Sequence, residues 1–231
     1  MIKWKIHHKK ESVSTNLDAL AGKSGDVFTA DYQSAGRGRL DHKWESVKGE
    51  NLMMSAVVAL EEASPEKVAT LPLVAGAAIA EALKVDSSLK WPNDVWYKNK
   101  KLAGVLCERR GDNVIIGIGL NVNAYPIALK DRSTSLEEIL GERQSVIEIR
   151  DAILASLSSF YQAWLIRGFD EHLRAIIAKR DYLRGKTVSV RQTDDDSEPI
   201  EGVCEGIAED GSLLVGGKRI YAGEAHIEGV R

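Results

Sequence analysis

The chain has 231 residues, of which 44% are hydrophobic, so it is long enough to bury a substantial core. Its formal net charge of −3 provides no overall basic surface for nucleic acid, and we expect no DNA partner. The two cysteines, Cys107 and Cys204, form no C-x-x-C motif, which argues against a disulfide scaffold or a zinc knuckle and favours a reducing cytoplasm. The N-terminus lacks a signal segment, and the longest apolar run, residues 68–83, is too short to span a membrane, so no membrane partner is predicted.

In chain order, the first half of the sequence alternates strands and helices. Strands are predicted at residues 4–8, 27–31 and 51–60, and the last is apolar enough to be buried on both faces. Residues 12–20 predict a helix with Ser14 or Thr15 as its N-cap. A buried helix is predicted to begin at Ser64-Pro65 and to run to residue 83. A short strand at 89–91, a hairpin of 95–97 and 102–108, and a strand at 114–120 follow.

The second half predicts helices and then a change to β-structure. Helices are expected at 135–140, at 146–167, where apolar residues recur every three or four positions, and from there through residue 177. After that, short alternating strands and polar turns predict a small barrel- or SH3-like module, with the acidic run 194–196 in a solvated hairpin loop. We therefore predict a mixed α/β domain over 1–184 and a β-domain over 185–231.

The segment "QSAGRGR" is the first candidate binding loop. Backbone N–H groups around Gly36 and Gly38 can form an anion-binding concavity, and Arg37 and Arg39 can bind carboxylate or phosphate in a bidentate manner. A flexible surface loop with weak ion pairs explains the same residues about equally well. Trp44 favours a site, because an aromatic ring after such a loop can stack on a purine, although a core tryptophan is the alternative.

The segment "KWPND" is the second candidate. Its proline fixes a bend and restricts the preceding tryptophan to extended geometry. Lys90, Asn93 and Asp94 are then presented from a rigid turn at a strand end, although an ordinary turn needs the same residue types.

Two further segments place glycines beside polar groups. In "KKLAGVLCE", a lysine precedes a buried strand and Gly104 permits close approach of a ligand, although a solvent-exposed hairpin lysine is the commoner case. In "GIGLNVN", Asn121 and Asn123 face the same side, where they can bind a ribose or a purine edge or stabilise a turn. The five histidines show no metal-ligand spacing, so the sequence assigns no metal site, and the direct protein ligands of any Mg²⁺ bound with ATP are not predicted.

The order of these motifs is more informative than any one of them. "STN" (14–16), "QSAGRGR" (33–39), "KWPND" (90–94), "KLAGVL" (101–106) and "GIGLNVN" (117–123) together resemble the biotin–protein ligases, also called biotin–[acetyl-CoA-carboxylase] ligases. The resemblance spans nearly the whole chain. It implies an α+β fold, with a mixed sheet and helices related to class II aminoacyl-tRNA synthetases and a C-terminal SH3-like β-barrel. Larger members carry an N-terminal helix-turn-helix, so the resemblance implies a short form without repressor function.

The resemblance also implies an activity and its partners. Biotin and ATP, with Mg²⁺, would give biotinyl-5′-AMP and pyrophosphate, and the adenylate would then acylate a lysine of a biotin carboxyl carrier protein domain. Some members pair through the main sheet, so a homodimer is one of the implied assemblies. A lipoate–protein ligase or octanoyltransferase of the same fold is the nearest alternative, and a non-catalytic biotin- or nucleotide-binding module is the alternative from another class.

The site residues implied by the resemblance fall into three overlapping sets. The catalytic set is Lys101, Arg37 and Arg39. The biotin-binding set is Ser14, Thr15, Asn16, Gln33, Gly36, Arg37, Gly38, Arg39, Lys101 and Gly104. The nucleotide-binding set is Arg37, Arg39, Trp44, Lys90, Asn93, Asp94, Lys101 and Asn121.

The binding loop departs from the longer family version, G-R-G-R-R-G-R. Leu40, Asp41 and His42 replace its third arginine, its next glycine and its last arginine. Because the loop then carries fewer fixed positive charges, we expect it to hold the adenylate less tightly, which the dissociation rate of biotinyl-AMP would test. His226 stands near the C-terminus where the family places serine, and the sequence assigns it no role.

Overall fold

A seven-stranded mixed sheet forms the centre of the molecule. The structure is a computed structural model that describes residues 2–40, 42–60, 65–192 and 198–227. The strands are β1 Lys5–Lys9, β2 Asp26–Ala30, β3 Asn51–Ala59, β4 Ser88–Lys90, β5 Asp94–Tyr97, β6 Lys100–Arg110 and β7 Asn113–Asn121. Their order across the sheet is β1-β2-β3-β7-β6-β5-β4, with β1 and β2 parallel and the other neighbours antiparallel. The predicted α+β class and mixed sheet are confirmed.

Helices cover the sheet. They are α1 Thr15–Asp18, α2 Pro65–Ala69, α3 Leu71–Leu83, α4 Leu136–Leu140, α5 Val146–Arg167 and α6 Glu171–Ala178, with 3-10 turns at Ala19–Ala21 and Ile127–Leu129. Helices α3 and α5 pack against each other and contribute buried residues to the main hydrophobic cluster. None of the helices in the described ranges combines the length and the apolar character needed to cross a bilayer.

The central strands present two different faces. On β3, the alternate residues Leu52, Met54, Ala56 and Val58 belong to the main hydrophobic cluster beneath the helices, and we call this side the core face. The other side carries Ser55 on β3 and Gly117 on β7, which are register partners, and we call it the site face. Because side chains alternate along a strand, each face has its own composition. As predicted, β3 is buried on both sides along nearly all of its length.

One predicted helix is two helices in the structure. Helix α2 begins at Pro65 as expected, and Ser64 lies outside the described residues. The chain then breaks at Thr70, whose carbonyl accepts the N–H of Leu73 at 3.1 Å as α3 begins. Pro72 has no N–H to donate to the preceding turn, so a continuous helix would lose a hydrogen bond at this position.

The first predicted helix is shorter than expected. Ser14 holds the N-cap position of α1, but its side chain makes no capping hydrogen bond. The helix ends at Asp18 and continues only as a 3-10 turn. Ser14 instead lines the cavity described below, so this serine faces the site.

The C-terminal residues form a separate antiparallel sheet. Its strands are β8 Thr187–Arg191, β9 Ile200–Ile207, β10 Leu213–Val215, β11 Lys218–Ile220 and β12 Glu224–Ile227, in the order β11-β10-β9-β8-β12. The β-rich module is confirmed, and among the described residues this sheet does not close into a barrel. The acidic run 194–196 lies outside the described residues, and the division at residues 184 and 185 stays a prediction.

Candidate active site

A cavity of about 890 Å³ opens on the site face of the large sheet. Residues 37–39 and 42–45 and strand β12 form other parts of its wall. The predicted site residues that line it are Ser14, Thr15, Asn16, Gln33, Arg37, Gly38, Arg39, Trp44, Lys90, Asn93, Asp94, Lys101, Gly104 and Asn121. Gly36 is the one predicted site residue that does not line the cavity. The lining residues come from all five motifs, which are separate in the sequence and meet at this one site.

Three glycines on β6 and β7 make room for the side chains above the sheet. A Cβ atom at Gly117 would lie 2.2 Å from Asn16 Oδ1, and one at Gly119 would lie 2.3 Å from the Trp44 ring. A Cβ at Gly104 would lie 3.2 Å from Lys101 Nζ. Larger residues at the first two positions would force these side chains to shift, because real Cβ atoms do not approach heavy atoms this closely.

The first end of the cavity is polar and mostly uncharged. Gln33 Oε1 accepts the Thr15 backbone N–H at 2.7 Å and the Thr15 hydroxyl at 3.1 Å. Ser55 Oγ lies 2.7 Å from Thr15 Oγ1 and donates to Asn16 Oδ1 at 2.5 Å. These residues are buried together with Ser14, so their hydrogen bonds fix the side chains in place before any ligand arrives.

The loop of residues 36–44 folds back on itself. Gly36 O accepts the Trp44 N–H at 2.9 Å, and a Cβ on Gly36 would collide with Trp44 O at 2.4 Å. Gly38 N–H donates to His42 O at 2.7 Å. Glycine at position 36 therefore lets the two arms of the loop approach closely. Leu40 adopts a left-handed conformation with φ 53°, and Asp41 lies outside the described residues, so the effect of the departure there stays a prediction.

The two loop arginines have different surroundings. Arg37 Nη1 lies 3.3 Å from Glu108 Oε1, and the Arg37 side chain is 44% exposed. Arg39 is more enclosed, and burial lowers the pKa of its guanidinium, with Asp94 and Glu224 acting in the opposite direction. A guanidinium titrates so far above neutrality that Arg39 remains charged.

The second end of the cavity is strongly charged. Lys101 Nζ lies 2.7 Å from Asp94 Oδ1 and 5.9 Å from the centre of the Trp44 ring. Lys90 Nζ lies 4.4 Å over the Trp96 ring. Burial lowers the pKa of the Lys90 ammonium, and the nearby Asp94 carboxylate opposes this shift. Three cations, Lys90, Lys101 and Arg39, lie near two carboxylates, Asp94 and Glu224, so this end of the site favours an additional anion.

Two predicted contacts are already engaged in holding the fold. Asn93 Nδ2 donates to Val105 O at 2.6 Å. Asn121 Nδ2 donates to Thr134 O, and Asn121 Oδ1 accepts from Asn51, each at 3.0 Å. Both asparagines line the cavity, but these bonds fix the orientation of their amides and limit what they can offer a ligand.

The C-terminal sheet contributes to the mouth of the cavity. Glu224 on β12 pairs with His42 of the loop at 2.8 Å, and His226 lies 3.8 Å from the same carboxylate. Trp91 Nε1 donates to Gly211 O at 3.0 Å, which ties the "KWPND" bend to this sheet. His226, which the sequence left without a role, therefore lies at the cavity mouth.

Sequence reasoning missed three polar residues of the site. Ser55 could have been noticed as a lone hydroxyl in the apolar strand "NLMMSAVVA". Glu108 ends the quoted "KKLAGVLCE" segment but has no local signal for its contacts with residues far away in the chain. Glu224 is recognisable only when the C-terminal sheet is placed beside the loop.

The described residues contain no group of three or more His, Cys, Asp or Glu side chains arranged to hold a metal ion. Which protein groups would contact a Mg²⁺ ion that accompanies ATP stays an open part of the prediction. A Mg²⁺ ion that takes most of its ligands from phosphate oxygens and water needs few protein groups, and Asp94 is one of the carboxylates that line this cavity.

Comparison with known proteins agrees with this geometry. Residues 6–123 match the model of the biotin/lipoate A/B protein ligase family. The biotin–[acetyl-CoA-carboxylase] ligase of Paracoccus denitrificans is 30% identical over 224 residues, covering 88% of this chain and 91% of that protein. The biotin protein ligase from Aquifex aeolicus, solved in complex with biotin and ATP, is 32% identical, with a TM-score of 0.86 over 96% of this chain and 98% of that chain.

The bifunctional ligase/repressor BirA of Bacillus subtilis is 34% identical over 158 residues, covering 63% of this chain and 48% of that protein. The matched region thus spans about half the length of that relative. The family match covers residues 6–123, which hold both the polar and the charged ends of the cavity. The chain therefore belongs to the biotin/lipoate A/B protein ligase family.

Proposed function

We propose that this protein is an ATP-dependent biotin–protein ligase. In the first step a biotin carboxylate oxygen attacks the α-phosphorus of ATP, which forms the acyl–phosphate bond of biotinyl-5′-AMP and breaks the bond to pyrophosphate. In the second step the amine of an acceptor lysine attacks the acyl carbon, an amide forms, and AMP leaves. The acceptor is a biotin carboxyl carrier protein domain of acetyl-CoA carboxylase or a related carboxylase.

One observation carries this proposal. A single cavity joins a buried, uncharged polar end to a cationic end. Thr15, Asn16 and Gln33 at the first end suit the donors and acceptors of a ureido ring, which carries no charge. Lys101 and Arg39 at the second end suit a carboxylate and a phosphate that must be brought together.

The cationic residues address the main obstacle of the first step. A carboxylate and an α-phosphate repel each other, and negative charge is redistributed during the attack. Fixed N–H donors and cations that face this charge lower the barrier. Lys101 has three N–H donors, so it can keep Asp94 as a partner at 2.7 Å and still contact the substrate. When Mg²⁺ accompanies ATP, it neutralises phosphate charge.

The remaining residues divide between the two substrates. Ser14, Thr15, Asn16, Gln33, Gly36 and Gly38 are proposed to form the biotin side, with Arg37, Arg39, Lys101 and Gly104 around the carboxylate. Trp44, Lys90, Asn93, Asp94 and Asn121 are proposed to form the nucleotide side. The loop of residues 36–44 covers the place where the adenylate would form, so it would also keep water from the mixed anhydride.

Pyrophosphate release tests this function. The protein is incubated with ATP and Mg²⁺, with biotin or lipoate supplied separately, and Lys101→Ala is compared with the wild type. We expect release that depends on biotin and falls by about 100- to 1,000-fold in Lys101→Ala, because a positioned donor to the developing charge is lost. Lys100→Ala is the matched control, since Lys100 lies next in the chain but pairs with Glu138 outside this cavity at 3.8 Å.

Each result has a distinct consequence. Biotin-dependent release that is retained in Lys100→Ala and lost in Lys101→Ala supports both the substrate and the role of Lys101. Lipoate-dependent release would keep the family and replace the substrate. No release with either compound would contradict catalysis. A second incubation with a biotin carboxyl carrier domain, probed with streptavidin, tests the transfer step.

A further inference from the structure

Glu108 occupies an unusual position on strand β6. It is four residues beyond Gly104 on the same face of the strand, so it lies on the site face of the sheet. Its side chain is only 15% exposed. A carboxylate this enclosed needs hydrogen-bond or ionic partners, and it finds them on two segments that are distant from it in the chain.

The first partner is the Asn16 amide. Asn16 Nδ2 donates to Glu108 Oε2 at 2.7 Å. At the other end of the same amide, Asn16 Oδ1 accepts the Ser55 hydroxyl at 2.5 Å. Since Ser55 is fully buried, the two contacts together determine which way the amide faces. Glu108 thereby fixes a side chain at the polar end of the cavity.

The second partner is the Arg37 guanidinium. Arg37 Nη1 lies 3.3 Å from Glu108 Oε1 and 3.5 Å from Oε2. These contacts use one terminal nitrogen, whereas a guanidinium has five N–H donors in a planar fork. Arg37 can therefore remain attached to Glu108 and present its other donors to a ligand at the same time.

Glu108 is a common partner of two segments that are distant from it in the chain. Asn16 belongs to the short helix α1, and Arg37 belongs to the loop of residues 36–44. The third partner, Arg110, lies 3.5 Å from Glu108 Oε1 and is half-exposed. Arg110 does not line the cavity, so it offers a way to change the charge around Glu108 without altering the site.

We propose that Glu108 is a positioning residue for biotin, holding Asn16 and Arg37 in the orientation that the ligand meets. This role rests on the proposed function. The carboxylate acts through its two partners and not through contact with the reacting atoms. Its effect belongs to ligand affinity, because both contacts exist before a ligand is bound.

Two substitutions of Glu108 separate the effect of its charge from the effect of its side-chain length. Glu108→Gln keeps the length of the side chain and an oxygen that can accept from Asn16, but it removes the charge that attracts Arg37. Glu108→Asp keeps the charge and shortens the side chain by one methylene. We expect Gln to weaken biotin binding by about five- to tenfold, since a hydrogen bond to a charged partner is lost, and Asp to weaken it less.

Calorimetric titration with biotin gives the affinities, and pyrophosphate release gives KM and kcat. Glu108→Gln should raise the Kd and KM for biotin and leave kcat within about twofold of the wild type, because the loss is in ground-state binding. Arg110→Ala is the control and should bind biotin like the wild type. In an Arg37→Gln background, Glu108→Gln should have little further effect, because its partner is already absent.

The outcomes distinguish this role from the proposed function. If wild-type protein binds no biotin and releases no pyrophosphate, both ideas are overturned. If the wild type binds biotin and Glu108→Gln binds it equally well, only the positioning role is wrong. The role is also wrong if Asp weakens binding more than Gln, or if the effects of Glu108→Gln and Arg37→Gln simply add. Melting temperatures of all variants show whether a loss of binding reflects a loss of fold.

Discussion

The sheet and the loop form two parts of the cavity wall, and they hold their side chains in different ways. On the sheet side, Ser55 is fully buried and ties down the Asn16 amide. On the loop side, Arg37 is 44% exposed and touches the sheet through one ion pair. The sheet therefore sets the geometry of the site in advance, whereas the loop supplies charge that can adjust to a ligand.

Asn16 and Trp44, which lie directly over glycines of β7, show the difference between the sheet side and the loop side. Asn16 lies over Gly117 and is fixed at both ends of its amide, by Ser55 and by Glu108. Trp44 lies over Gly119, and its buried Nε1 has no hydrogen-bond partner among the described residues. A close contact at Gly117 therefore disturbs a hydrogen-bonded network, and one at Gly119 disturbs a ring that no side-chain hydrogen bond holds among the described residues.

The largest effect is expected from Gly117→Ala. The new methyl group would lie 2.2 Å from Asn16 Oδ1, so the amide must leave its place and break its bond to Ser55. We expect biotin-dependent pyrophosphate release to fall by about 100-fold, because a displacement of about 1 Å in a binding group can cost that much. The measurement is kcat/KM for biotin at saturating ATP.

A stability measurement accompanies this variant. Because β7 pairs with both β3 and β6, thermal unfolding shows whether the substitution lowers the stability of the whole fold. A variant that folds and retains wild-type affinity for biotin would mean that Asn16 is not fixed as tightly as its two hydrogen bonds indicate.

The sequence predicted the sheet side of this comparison well. Strands β3, β6 and β7 are apolar. The glycines of β7 indicated close approach of a ligand, and in the structure the groups that approach them are the Asn16 and Trp44 side chains. The order of the motifs then predicted which segments would meet at the cavity. Such features are readable because strand alternation and glycine geometry are local properties of the chain.

The sequence predicted less of what joins the sheet to the loop. Glu108 and Arg37 are 71 residues apart, and His42 meets Glu224 only because the C-terminal sheet lies at the cavity mouth. Asn93 illustrates a different difficulty. Its place in a turn of the sequence suggested a ligand contact. In the structure its amide donates to Val105 O and supports the bend. Local sequence does not determine such long-range choices.

Gly119→Ala tests the loop side and should have a smaller effect. Its methyl group would lie 2.3 Å from the Trp44 ring, but Trp44 can shift with the loop. We expect the KM for ATP to rise by about tenfold, since stacking of a base on an aromatic ring contributes roughly 1–3 kcal/mol. The Kd for biotin should change by less than about twofold, because the Asn16 network is untouched.

Comparison of the two glycine variants is the sharpest test of the contrast. Gly117→Ala should act mainly on biotin, and Gly119→Ala mainly on ATP. Equal losses of biotin affinity in both variants would show that sheet and loop respond as one rigid unit, and the distinction between them would then be wrong.

Glu224→Gln should have the smallest effect, at the point where the loop meets the C-terminal sheet. The His42–Glu224 pair spans 2.8 Å, with side chains that are 64% and 42% exposed. Exposed ion pairs contribute at most about 1 kcal/mol, and this contact is an ion pair only when His42 is protonated, so we expect the KM for biotin to rise by at most about two- to fivefold at low salt. The difference should shrink as the ionic strength rises, because salt screens exposed charges.

Glu209→Gln is the matched control for this last variant. Glu209 belongs to the C-terminal module but pairs with Arg219 at 2.7 Å, away from the cavity lining. It should leave the KM for biotin unchanged at every salt concentration. If Glu224→Gln instead lowers activity by the same factor at low and high salt, the carboxylate acts through an enclosed contact that salt does not screen. Arg39, whose pKa the Glu224 charge raises, then becomes the partner to test next. That result would mean that the C-terminal sheet stabilises the position of the loop more strongly than the exposed His42–Glu224 pair alone indicates.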